Sequence, residues 1–81
     1  MNIELKVLVA LNLTADFLVG ESSLYNAVVL AEARPPTRSE VGAALRTLEA
    51  KQEAVGVSNL DTGTRWKIGD KGKARLMEAG L

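Results

Sequence analysis

Arg34 to Glu49 reads RPPTRSEVGAALRTLE, and the fold turns on this stretch. Pro35 and Pro36 fix their own φ angles, and Pro35 also keeps Arg34 away from helical geometry. A helix cannot run through that point. Thr37 and Glu40 then stand at capping-box spacing. The threonine hydroxyl can accept from the Glu40 amide, and the Glu40 carboxylate can accept from the Thr37 amide. Beyond the box, Val41, Ala44, Leu45 and Leu48 recur at helical spacing as one apolar stripe. The opposite face shows Arg38, Ser39, Gly42, Arg46 and Glu49. The stretch reads as a stiff turn followed by a helix over residues 38–52.

Upstream, Leu24, Ala27, Val28 and Ala31 follow the i, i+3, i+4, i+7 rule, so a second helix is predicted over 24–33. Ser22 or Ser23 would cap it, and residues 19–23 read as a connection. Residues 3–18 are ambiguous by period alone. Ile3, Leu5, Val7, Val9, Leu11 and Leu13 alternate as a strand would, while Val7, Leu8, Leu11 and Leu18 fit a helical stripe.

Downstream, Val55 and Val57 begin an alternating run, and Asp61-Thr62-Gly63 is a turn signal. Thr64, Trp66 and Ile68 then alternate with Arg65 and Lys67. A β-hairpin over 55–68 follows, with Ile68 turned to the core, Trp66 packing inward on the same face or else stacking on a base, and the two cations turned out. A last helix over 70–79 is expected, with Ala74, Met77 and Leu81 as its apolar stripe and Gly80 as its stop. Lys71, Lys73 and Arg75 fall on what reads as a solvated face.

With 81 residues the chain is expected to form a single domain over 1–81, and 47% hydrophobic with 25% charged residues argue for a folded one. There is no cysteine and no histidine. Disulfides are excluded, a zinc site would need carboxylates alone, and no serine has an imidazole to activate it. Gly69-Asp70-Lys71-Gly72-Lys73 fails as a phosphate loop. Lys67 stands where its first glycine belongs, and Ala74 stands where a hydroxyl should hold magnesium. The expectation is a non-enzyme without metal or cofactor. The uncharged run from Val7 to Ala15 is too short to span a bilayer, and the lack of cysteine fits a reducing, cytoplasmic setting, which is the expectation.

The formal net charge is zero, but it is divided along the chain. Residues 1–33 hold one cation against four anions, a charge of −3, and residues 34–81 hold nine cations against six anions, +3. Only the second part would attract a polyanion. A helix, a tight turn and a second helix with a polar exposed face suit the major groove of duplex DNA. Arg38 can bind guanine in bidentate fashion or touch phosphate. Thr37 and Ser39 can contact phosphate, Gly42 leaves room for close approach, and Arg46 lies two turns further on. Arg65 and Lys67 would meet the backbone from the hairpin.

Taken together, the chain resembles a winged helix-turn-helix domain. The resemblance rests on three pieces covering about residues 24–79. They are Thr37 to Glu49, similar to a recognition helix with its leucine-x-x-leucine-glutamate ending, the Asp61-Thr62-Gly63 wing tip, and Trp66-Lys67-Ile68-Gly69-Asp70-Lys71-Gly72. The last is similar to the signature that closes the wing in MarR-like and PadR-like bacterial regulators. The resemblance implies an α+β, mostly α, fold: a three-helix core, a hairpin wing and a C-terminal helix. It also implies that residues 3–18 are helical, and that the protein regulates transcription by binding double-stranded DNA, often as a dimer. Three positions depart from the pattern. Gln52 replaces the glycine that usually follows the recognition helix, Glu53 stands where an apolar residue is common, and Gly69 replaces a threonine cap, leaving Asp70 to help cap the last helix. The neutral charge and the very apolar Ile3–Leu18 segment motivate an alternative. It is a protein-interaction module, a homodimer or assembly unit docking through residues 3–18, that does not read DNA.

Overall fold

The computed structural model describes residues 2–15, 17–30, 32–61 and 63–81. Among them the fold is α+β and mostly helical, with four helices and one three-stranded antiparallel sheet. The elements run α1 (Ile3–Leu13), β1 (Val19–Gly20), α2 (Glu21–Leu30), α3 (Arg38–Ala50), β2 (Ala54–Asn59), β3 (Gly63–Ile68) and α4 (Asp70–Glu78). The strand order is β1-β3-β2, so the first strand returns to the far side of the hairpin.

The helix α3 starts as its sequence dictates. The Thr37 hydroxyl accepts from the Glu40 amide at 3.2 Å, and the Glu40 carboxylate accepts from the Thr37 amide at 3.0 Å. Val41, Ala44, Leu45 and Leu48 are buried on its inner face. The ambiguity of residues 3–18 resolves to a helix, shorter than expected. Asn2 caps α1 by accepting from the Leu5 amide, and Val7, Leu8 and Leu11 are buried. The helix stops at Leu13 because the Thr14 amide and hydroxyl both turn back to the Leu11 carbonyl. Residues 14, 15, 17 and 18 therefore lie outside the helix.

Residues 19–23 are not a connection. Val19 pairs with Trp66 and Gly20 with Arg65 as a third strand, and α2 begins directly at Glu21. Ser22 and Ser23 lie inside that helix rather than capping it. Leu24 and Val28 are buried as the spacing requires, whereas Ala27 is exposed and Ala31 falls outside the described residues. The helix ends at Leu30, short of residue 33, with the Glu32 amide closing a tighter turn on the Val29 carbonyl.

The hairpin pairs Ala54 with Ile68 and Asn59 with Gly63. Cross-strand partners share a face. Ala54, Gly56, Trp66 and Ile68 face the helices, and Val55, Val57, Arg65 and Lys67 face away from them. Trp66 and Ile68 are each only 4% exposed, as the alternation requires. With Leu76 of α4 and the buried residues of α1, α2 and α3 they complete one core.

The last helix departs most from its sequence reading. Its buried positions are Gly72 and Leu76, while Ala74, Met77 and Leu81 are exposed. The close approach explains why: a Cβ on Gly72 would overlap the Glu53 carbonyl and reach Leu8 at 2.9 Å. So α4 docks through a glycine, a feature invisible to a search for apolar side chains. Gly69 occupies the N-cap with no side-chain cap bond, so Asp70 contributes its charge in the first turn and no cap. Arg75 is not on a solvated face. One guanidinium nitrogen donates to Glu4 and to Glu53, both at 2.8 Å, and Lys51 adds a contact to Glu4 at 3.0 Å. Glu53, out of pattern for an apolar position, is thus an ion-pair partner.

Two helices end by the same backbone motif. After α4, Gly80 has φ +74°, its amide donates to Met77, and the Leu81 amide donates to Leu76. After α3, Gln52 has φ 62°, its amide donates to Glu49, and the Glu53 amide donates to Leu48. This is a Schellman closure with glutamine in the left-handed position that favours glycine. The helix therefore ends at Ala50 and does not run to residue 52. Replacing Gln52 with glycine should raise stability by about 0.5–1 kcal/mol in urea unfolding, less the exposed Lys71–Gln52 hydrogen bond. An unchanged or lower midpoint would contradict this.

The Arg75 and Lys51 hydrogen bonds hold the Glu4 carboxyl below its usual range, and the same network raises Arg75. A depressed carboxyl stabilises the fold above its unfolded pKa, and that contribution is lost as pH falls through the folded value. Acid titration should therefore show stability declining from about pH 4.3 downward. The Glu4→Gln variant should flatten that limb in urea midpoints measured from pH 7 to pH 3.

Candidate nucleic-acid interface

Arg38, Ser39 and Arg46 are exposed on α3. Thr37 is exposed too, but the capping box engages its amide and hydroxyl oxygen, leaving the hydroxyl proton free to donate. Arg38 is held in place: its guanidinium sits 5.1 Å from the centroid of the Tyr25 ring on α2. Stacking of this kind orients a cation without neutralising it.

Gly42 does not belong to the exposed face. It is buried, and a Cβ there would stand 3.1 Å from a guanidinium nitrogen of Arg46 and 4.0 Å from Glu21 Oε2. The Arg46 side chain folds back across the glycine. The space over Gly42 that the sequence suggests for close approach holds the Arg46 guanidinium.

A shallow recess brings three elements together. It is lined by Gly20, Glu21, Ser22 and Ser23 at the start of α2, Arg46 of α3, and Gly63 and Thr64 at the start of β3. The two serines and Thr64 were not expected here. By sequence alone the serines read as helix caps, and Thr64 reads only as part of the strand alternation. No local signal reveals that β1 carries the α2 start across to the hairpin.

Arg65 and Lys67 are exposed, but on the other face of the sheet from Thr64 and Trp66. Arg65 stands opposite Val57 and Lys67 opposite Val55, both partly exposed valines. Lys67 is near the base of the hairpin, one residue before buried Ile68. The tip itself carries Leu60, fully exposed, and Asp61, whose amide donates to the Asn59 side chain at 2.8 Å. Among the seven expected contact residues, then, Arg38, Ser39 and Arg46 lie on α3 with Thr37 at its N-cap, Arg65 and Lys67 form a separate outer face, and Gly42 is buried beside Arg46.

A second feature lies between α1 and α2. A groove of about 250 Å³ is lined by Lys6, Val9, Ala10, Leu13, Ala27, Val28 and Glu32. Lys6 and Glu32 close one end with an ion pair at 3.1 Å. Leu13 and Leu30 are 80% and 87% exposed, far more than a core-forming leucine.

Among the described residues no cluster of histidine, cysteine, aspartate and glutamate could hold a metal ion, and no helix is long and apolar enough to cross a membrane. No protein-family model matches the chain, no curated protein matches it, and no solved structure matches it.

Proposed function

We propose that the protein is a small winged helix-turn-helix DNA-binding protein, a transcriptional regulator whose recognition helix is α3. The observation that carries this reading is the capped α3 helix. It follows a rigid Pro-Pro turn, presents Arg38, Ser39 and Arg46 to solvent, and stands beside a β-hairpin in the order helix, turn, helix, hairpin. Arg38, pre-oriented on Tyr25, is suited to a guanine edge or a phosphate. Arg46 and the serines of the α2 start border one recess, where hydroxyl and guanidinium donors can meet the backbone of a duplex. Arg65 and Lys67 would act as phosphate contacts from the outer face of the wing. Few phosphates are engaged on this reading, so affinity should be moderate and should fall with salt.

Fluorescence anisotropy with random duplex DNA should show binding at low ionic strength that weakens steeply as salt is added. Arg38→Ala and Arg46→Ala should each weaken it by about five- to tenfold and lower the salt slope by about one. A wild-type protein that shows no salt-sensitive binding even at low ionic strength overturns the proposal.

The α1–α2 groove favours a second reading, an interaction module that binds a second copy of the chain. The groove is smaller than the ~300–1,000 Å³ of small-molecule pockets, and its apolar lining suits inserted side chains. Leu13 and Leu30 are available to insert. On this reading Leu13→Asp shifts a dimer to a monomer in analytical ultracentrifugation. A wild-type protein that stays monomeric at high concentration rules it out.

A further inference from the structure

Glu21 is an acid placed inside a surface that the proposed function needs to be cationic. It is the first residue of α2, half-buried, in the recess beside Arg46. A carboxylate in the first turn of a helix is ordinarily a dipole partner and nothing more. Here both oxygens have further business. Oε1 accepts the Trp66 indole N–H at 3.1 Å, tying the α2 start to the wing. Oε2 is turned toward Gly42, the point over which the Arg46 guanidinium folds. Trp66 is itself held, being buried with its ring packed on Gly56, where a Cβ would stand 2.9 Å from it. The negative charge is therefore fixed in position and not carried on a free side chain.

A fixed carboxylate acts on a polyanion in two ways. It repels phosphate directly, and it offsets the attraction of Arg46. Neither effect depends on base sequence, because phosphates carry no sequence information. We propose that Glu21 is a specificity-determining residue of this surface: its carboxylate, held by the Trp66 indole beside Arg46, suppresses binding to anionic polymers regardless of their sequence. The inference rests on the reading of this surface as polyanion-binding. It also gives the neutral net charge a role, since non-specific binding by a basic domain is what such an acid would limit.

The test is Glu21→Gln, which removes the charge and keeps an oxygen acceptor for the indole. Glu78→Gln, on the exposed C-terminal turn of α4, removes the same charge elsewhere. Both variants and the wild type are compared by salt elution from heparin and by anisotropy with random duplex DNA. The lone tryptophan's emission and the thermal midpoint report whether the indole contact and the fold persist. E21Q should elute at higher salt and bind random duplex about five- to tenfold more tightly, with Trp66 emission unchanged, while E78Q should stay near wild type. Should E21Q melt early, Glu21→Ala replaces it, a neutral residue of high helix propensity. Equal shifts in the Glu21 and Glu78 variants mean that only net charge counts, and they overturn the proposal. So does a charge-free position 21 that leaves heparin elution where the wild type has it. Wild-type failure to bind duplex overturns the DNA reading alone, because heparin still decides the role of Glu21.

Discussion

The burial of Trp66 is the constraint on which the rest of the arrangement depends. The hairpin offers the helices Ala54, Ile68 and one aromatic side chain, and Trp66 is that aromatic. The ring fills the space over Gly56, sits across from Val19 of β1, and donates its N–H to Glu21 at the start of α2. A buried indole needs an acceptor for that proton, and a carboxylate is a strong one. One residue thereby ties β2, β1 and α2 to β3. The orientation of the hairpin relative to α2 follows from it, as does the outward direction of Arg65 and Lys67 on the alternate positions of the same strand.

Much of this fold was legible because the sequence signals were local. The capping box at Thr37 and Glu40, the apolar stripe of α3 and the strand alternation at Trp66 and Ile68 are each fixed by residues a few positions apart. What could not be read depended on partners distant in sequence. Val19 and Gly20 form a strand only because Trp66 and Arg65 lie beside them. Arg75 looks like a surface cation until Glu4 and Glu53 are brought to it. Gly72 carries no side chain, so no hydrophobic pattern could mark it as the docking point of α4. The candidate site divides in the same way. Arg38, Ser39 and Arg46 were visible from the helix period. The burial of Gly42 under Arg46 was not, because it depends on how one long side chain folds back.

Charge placement gives the surface its character. The cations of the second half of the chain do not merge into one patch. Arg75 is consumed by an ion-pair network, Arg65 and Lys67 lie on the outer sheet face, and Arg38 and Arg46 remain along α3. A surface assembled from a few separated cations binds a polyanion weakly unless the geometry matches. On the proposed DNA-binding reading, discrimination would come from fit more than from total charge.

The Glu4–Arg75 contact joins residues 71 positions apart. Closing so long a loop early is entropically unfavourable, whereas the hairpin and the α3 helix can organise from neighbours alone. The ion pair is thus expected among the last interactions to form, fastening α1 to α4 after the core has gathered. Interactions made late in folding act on the rate of escape from the native state more than on the rate of entry. Whatever stability the network around Arg75 adds would then appear as slower unfolding rather than faster folding.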